Sequence, residues 1–164
     1  MHKLIIALLL YSWMSSAPEK EIGYRQLCWA DFQGKPDYSR PDIAAYTEWQ
    51  LNYSCEDNNG SYTFSVKAVF LPEQSWTKTR SLYVLSHETA HFQIAEIYSR
   101  QLQKAFDAIN GCKNCKLAGD SMYNTVFQAT CAEQQAYDSA TDRGLDRGQQ
   151  AEWGRKINLL LRKN

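Results

Sequence analysis

No sign of charge dominates this sequence: 18 Lys and Arg stand against 18 Asp and Glu. No basic stretch stands out either, which argues against a nucleic-acid footprint. Proline and glycine are sparse and scattered, with four and eight copies in 164 residues. That distribution excludes a collagen-like or low-complexity chain. No internal repeat is present. Long apolar runs are also lacking beyond the first residues, so no later segment is read as a membrane span.

What is there suits a single domain with one core. Apolar residues make up 44% and aromatics 13%, including five Trp and ten Tyr. The length fits one domain, and this composition is incompatible with wholesale disorder. The one apolar run, Leu4-Ile5-Ile6-Ala7-Leu8-Leu9-Leu10, follows Lys3 and leads to Ser15-Ser16-Ala17. A basic start, a short apolar stretch and a small-residue exit are expected of a signal peptide over 1–17. The expected mature domain is then 18–164, exported to a periplasmic or extracellular space.

Five cysteines lie beyond that leader. An odd number leaves at least one thiol outside intrachain pairing. Cys112 and Cys115 are spaced as a loop staple, and Cys28 with Cys55 is a candidate second bridge.

The pattern places strands first and helices after. Leu27–Phe32 is expected as a short strand. Residues 45–55 alternate, with Thr47, Trp49, Leu51, Tyr53 and Cys55 on one face. Residues 61–70 alternate again, with Tyr62, Phe64, Val66, Ala68 and Phe70 together, and the Glu56–Gly60 cluster turns between them. This predicts an antiparallel hairpin. A helical period then predicts one long helix from about Ser81 to Asn110, stopped by Gly111. A second helix is expected over about Asp120–Ala140, after a loop holding Gly119, and a last one carries Trp153, Ile157, Leu160 and Leu161. The fold class is α+β.

The chemistry concentrates at His87-Glu88-Thr89-Ala90-His91. Two His four apart lie one helical turn apart and point the same way. Zinc takes neutral nitrogen donors from one side, and a Glu beside the first His can handle the proton of a water at that metal. At about 100° per residue, both His and Glu88 share an arc with Ile94, Ala95, Tyr98, Leu102, Ala105 and Ile109. The opposite arc holds Ser86, Thr89, Gln93, Glu96, Arg100, Lys104 and Asp107, which marks Glu96 as a solvated charge. A buried carboxylate and two buried imidazoles need a partner, and a metal supplies one.

A third ligand must come from elsewhere, because the only other His is His2, in the leader. On the second helix, Glu133 is favoured by face, in line with Met122, Val126, Ala129, Tyr137 and Ala140. Asp138 is favoured by height, since folding the helices together brings it level with His91. Cys131 is a weaker candidate. Tyr137 and Arg143 are the groups placed to stabilise a developing oxyanion.

These residues resemble a known family. Leu27-Cys28-Trp29-Ala30-Asp31-Phe32-Gln33-Gly34-Lys35-Pro36, Ala44-Ala45-Tyr46-Thr47 and Ser75-Trp76 look like its opening motifs. Leu85–Phe92 with Ile94-Ala95-Glu96 looks like its His motif. Tyr137-Asp138, Thr141, Gly144, Gln150 and Trp153 look like its closing pattern. The chain thereby resembles bacterial domain of unknown function 922, a set of exported proteins classed as zinc-dependent proteases. The resemblance implies Zn2+ as cofactor, Asp138 as third ligand, Glu88 as general base and a peptide or protein substrate. This chain departs at Ala140, where the family pattern has Glu, and at Arg143, where it has His. The two functions in view are a zinc metallopeptidase and a catalytically degenerate, zinc-stabilised binding module.

Overall fold

The computed structural model describes residues 21–163, so the expected leader lies outside the described residues. The core of the sheet is the expected hairpin. Strand β3 (Trp49–Asn58) and strand β4 (Ser61–Phe70) pair antiparallel in an unbroken register from Trp49↔Phe70 to Asn58↔Ser61. Asn59 and Gly60 make the turn at φ 56° and 82°, the left-handed pair that a two-residue hairpin with right-handed twist requires. The outer edge of β4 is covered at both ends: by β1 (Ile22–Gly23) at Phe70 and Val69, and by β6 (Cys112–Lys113) at Ser61 and Tyr62. A separate two-stranded ribbon joins β2 (Ala45–Tyr46) to β5 (Trp76–Thr77). The expected 45–55 strand is therefore broken at Thr47-Glu48, where the chain turns from one sheet to the other.

Leu27–Phe32 is not a strand. Trp29–Asp31 form a turn of 3₁₀ helix. The Asp31 carboxylate accepts from the Cys28 N–H at 2.8 Å and from the Arg25 guanidinium, so a local side-chain bond closes the turn and takes the segment out of any ladder.

Three helices follow: α1 (Leu82–Asp107), α2 (Lys116–Ala140) and α3 (Arg147–Lys163). Helix α1 is buried on two sides rather than along one stripe. Phe92, Ala95, Leu102 and Phe106 pack with Leu51, Phe64 and Phe70 of the hairpin. Ala90, Ile94 and Ile97 pack with Tyr137 and Ile157 of the other helices. Glu96 is accordingly not a solvated charge. Its side chain is 13% exposed and bonds Arg100 at 2.7 Å, whose guanidinium also reaches the Leu161 carbonyl of α3.

Helix α2 begins four residues earlier than expected and includes Gly119 in its first turn. A Cβ at Gly119 would run into the Phe64 ring, so glycine here allows close helix–sheet approach. The Cys112–Cys115 disulfide is present at the start of α2. The expected Cys28–Cys55 bridge is not: both thiols are free, as is Cys131. Cys55 pairs with Phe64, towards the turn end of the hairpin. The Cys28 segment is anchored at the other end, by the Gln33 N–H on the Pro72 carbonyl at 2.9 Å. Six or more residues of extended strand, about 20 Å, separate those levels. No helix among the described residues is long and apolar enough to cross a membrane.

Candidate metal centre

The site forms where the start of α1 meets the end of α2. These helices run antiparallel, so the second turn of α1 lies level with the last turn of α2. His87 and His91 project from α1 and Asp138 from α2. The three donor atoms form a near-equilateral triangle: His87 Nε2 to His91 Nε2 3.2 Å, His87 Nε2 to Asp138 Oδ1 3.2 Å, and His91 Nε2 to Asp138 Oδ1 3.1 Å. This group can hold a metal ion.

Height rather than face decides the second-helix carboxylate. Glu133 points away, to Lys156 of α3 at 2.7 Å. The inward line of α2 runs through Thr130, Gln134 and Tyr137, all buried. Glu133, about 100° off Gln134, therefore faces α3. Cys131 lines the cavity beside the site without belonging to the donor group.

Gln134 decides the chemistry of the triangle. Its Nε2 donates to the His91 carbonyl at 2.9 Å, so its Oε1 is the atom 2.6 Å from His91 Nδ1. That nitrogen must therefore carry a proton. In neutral His91 the proton is thus on Nδ1, and the Nε2 lone pair faces a carboxylate oxygen and a second imidazole. Such an arrangement is closed by a proton on Nε2 or by a cation at the centre. A single proton serves one edge of the triangle; a metal serves all three donors. In the metal-free protein, burial works against charging His91. The Asp138 hydrogen bond, the Glu88 charge and Gln134 outweigh it and raise its pKa. For Asp138, burial pushes upward, but the two imidazoles hold its carboxyl well below the usual range.

The surroundings fix His87 by packing. The Tyr137 ring stacks on it at 4.8 Å and meets His91 edge-on at 5.1 Å. Gly144, at φ 83°, lies so close that a Cβ there would sit 3.1 Å from the His87 ring. Tyr137 is thus the back wall of the site and is absent from the residues that line the cavity. Its buried hydroxyl has no partner among the described residues, and burial, with the charges of Glu88 and Asp138, pushes its pKa above the ordinary tyrosine range. Arg143, the other expected oxyanion group, does line the cavity but bonds Asp42 at 3.1 Å. Ala140 is exposed and outside the donor group.

Glu88, one residue on from His87, is 5% exposed. Its carboxylate accepts from the Thr47 hydroxyl at 2.7 Å. Both residues open on a cavity of about 990 Å³. Residues 43–47 line that cavity without a gap. Strand β2 lies within that stretch, and in its two-stranded ribbon it pairs with β5 alone, which leaves its other edge free.

Sequence reasoning missed Thr47, Gln134 and Gly144 as parts of the site. The i,i+4 spacing of Gln134 and Asp138 was a usable signal for the first of the two. Thr47 stands in the Ala44–Thr47 motif, but nothing local marks its role, since it reaches Glu88 across 41 residues.

A family model described as bacterial protein of unknown function (DUF922) matches residues 30–144. That stretch includes Thr47, Glu88 and all three donors of the triangle. Neither a curated protein nor a solved structure matches the chain.

Proposed function

Because the chain belongs to the DUF922 family, whose description assigns no activity, we propose its function from the site itself: an exported zinc-dependent hydrolase that cleaves peptides. The observation that carries this reading is the donor triangle with a buried carboxylate next to it on the cavity wall. Zinc bonds to nitrogen and oxygen of roughly 2.0–2.1 Å put tetrahedral donors about 3.3 Å apart. The edges of 3.1–3.2 Å found here fit that size. Two imidazoles and one carboxylate are a catalytic rather than a closed structural donor set, since a fourth position stays open.

Bound zinc supplies Lewis acidity and a nucleophile at neutral pH. His87, His91 and Asp138 hold it, and Gln134 and the Tyr137 ring keep the imidazoles aimed. Glu88 is not a donor in the triangle. It takes a proton from the attacking water and returns it to the leaving amine. An extended peptide fits along the free edge of β2, where backbone N–H and C=O groups can pair with it. Of the two residues expected at a developing oxyanion, Arg143 lines the cavity and is assigned that role here, whereas the Tyr137 ring lies behind the ligands. The apolar leader and the Cys112–Cys115 disulfide support export.

The test is Glu88→Gln. The variant should retain zinc and lose about 10²–10⁴-fold in chelator-sensitive cleavage of a mixed peptide library read by mass spectrometry. Cleavage that survives the substitution would overturn the mechanism. The Arg143–Asp42 pair favours a second reading, a zinc-stabilised binding module, because it engages the guanidinium that the hydrolase reading assigns to the oxyanion. A zinc-loaded wild type that cleaves nothing in the library would select it.

A further inference from the structure

A general base is useful only if one of its oxygens is held and the other is free, and Glu88 meets that condition through one residue. At 5% exposure Glu88 meets little water outside the cavity it lines, so a donor from the protein matters to its carboxylate. Among the described residues its side-chain donor is Thr47, itself 7% exposed, with Oγ1 2.7 Å from Glu88 Oε2. The same hydroxyl lies 3.2 Å from the Glu88 carbonyl oxygen. It has one proton, and the shorter contact, to the charged acceptor, takes it. Oε2 is thereby tied and Oε1 left for a reacting proton.

The hydroxyl is itself held in place. Thr47 sits at the break between β2 and β3. Its neighbour Glu48 donates its N–H to Ser75 Oγ at 2.9 Å and accepts from the Leu71 N–H at 3.0 Å. Ser75, fully buried, donates its own hydroxyl to the Leu71 carbonyl at 2.8 Å. The β-branched side chain adds a stiff χ1. The corner between the two sheets is therefore fixed from both sides, and the hydroxyl it presents is fixed with it.

We propose that Thr47 is the positioning residue of Glu88: its hydroxyl holds one carboxylate oxygen, which fixes the orientation of the group and leaves the other oxygen to the metal cavity. The proposal rests on the hydrolase reading above, in which Glu88 moves the proton. Thr47→Val removes the hydroxyl and keeps the shape; Thr47→Ser keeps the hydroxyl. Misplacing a catalytic group by about 1 Å costs on the order of 10²-fold. Thr47→Val should therefore keep its zinc content and its KM and lose about that factor in kcat, and Thr47→Ser should restore most of it. A Thr47→Val protein with wild-type kcat, or one rescued by no hydroxyl at 47, overturns the proposal.

A second measurement stands apart from activity. In the metal-free protein, Thr47→Val should lower the thermal midpoint by several degrees when Glu88 is present. It should do so by about half as much or less in a Glu88→Gln background, where the acceptor carries no charge. Strict additivity of the two substitutions would sink the Thr47–Glu88 coupling. If wild-type protein cleaves no peptide, the hydrolase reading fails by itself, and this cycle still decides whether Thr47 holds Glu88.

Discussion

At one end of the α1–α2 pair the chain is closed covalently; at the other, three side chains converge on a point that a cation would fill. The Cys112–Cys115 end follows α1 directly and is local, closing a loop between residues three apart. The His87–His91–Asp138 end joins residues 47 and 51 positions apart in sequence, and three of its groups are held by others: His91 by Gln134, His87 by Tyr137 and Gly144, Glu88 by Thr47. Along α1 from His91 to Asp107 the separation is roughly 24 Å. The difference teaches that a helical hairpin can keep its stability at one end and its chemistry at the other, so that changes at each end should be separable.

The strongest way to break that separation is at the ligands. His91→Ala and Asp138→Ala should each abolish metal retention after dialysis, read by elemental analysis, while Glu133→Ala should leave it unchanged. Metal loss in Glu133→Ala alone would remove Asp138 from the site. Next comes the support of the ligand: Gln134→Leu frees His91 Nδ1 and should weaken metal binding about 10–100-fold without touching a donor.

At the covalent end, the double change Cys112→Ser with Cys115→Ser should keep the metal. It should cost about 2 kcal/mol by chain entropy for so short a loop, a few degrees in thermal midpoint. Equal loss of metal in that variant would show the ends to be coupled.

The smallest effect is the pH dependence of the metal-free protein. The raised pKa of His91 contributes stability that is fully present below its ordinary value of 6.5 and is lost as pH rises through the higher folded value. The lowered pKa of Asp138 contributes stability present above its ordinary value of 3.8 and lost as pH falls through the lower folded one. Metal-free stability should thus fall on the alkaline side of 6.5. Added metal, which takes the neutral imidazole, should remove that decline. Thermal melts at a series of pH values, with and without metal, check both limbs.

Much of this architecture was legible in advance because it rests on periodicity. Alternation over 61–70 and the 3.6-residue repeat after Ser81 each report a buried surface, and both elements appear where expected, although α1 is buried on two sides. Two His four apart announce a shared direction regardless of the rest of the fold. The contacts that tune them come from tertiary approach, which leaves little local trace. Thr47 reads as one more strand residue until β2 and β3 separate around it. Gly119 reads as a loop residue until α2 lies on Phe64. Cys112 and Cys115 pair as their spacing suggested, but the expected Cys28–Cys55 bridge failed for the same reason: long-range pairing depends on which ends of the hairpin the segments reach, and sequence does not contain that.

The turn after α2 carries a consequence for how such a protein could vary. Asp142, Arg143 and Gly144 follow one another at φ 47°, 51° and 83°, a left-handed run in which only the last residue is glycine. An arginine there is held against its own backbone preference, at a cost on the order of 1 kcal/mol. Arg143→Asn, a residue that accepts this conformation, should make the protein more heat-resistant while removing one guanidinium from the cavity wall. Under the hydrolase proposal, selection for thermal endurance and selection for activity would then pull this one position in opposite directions.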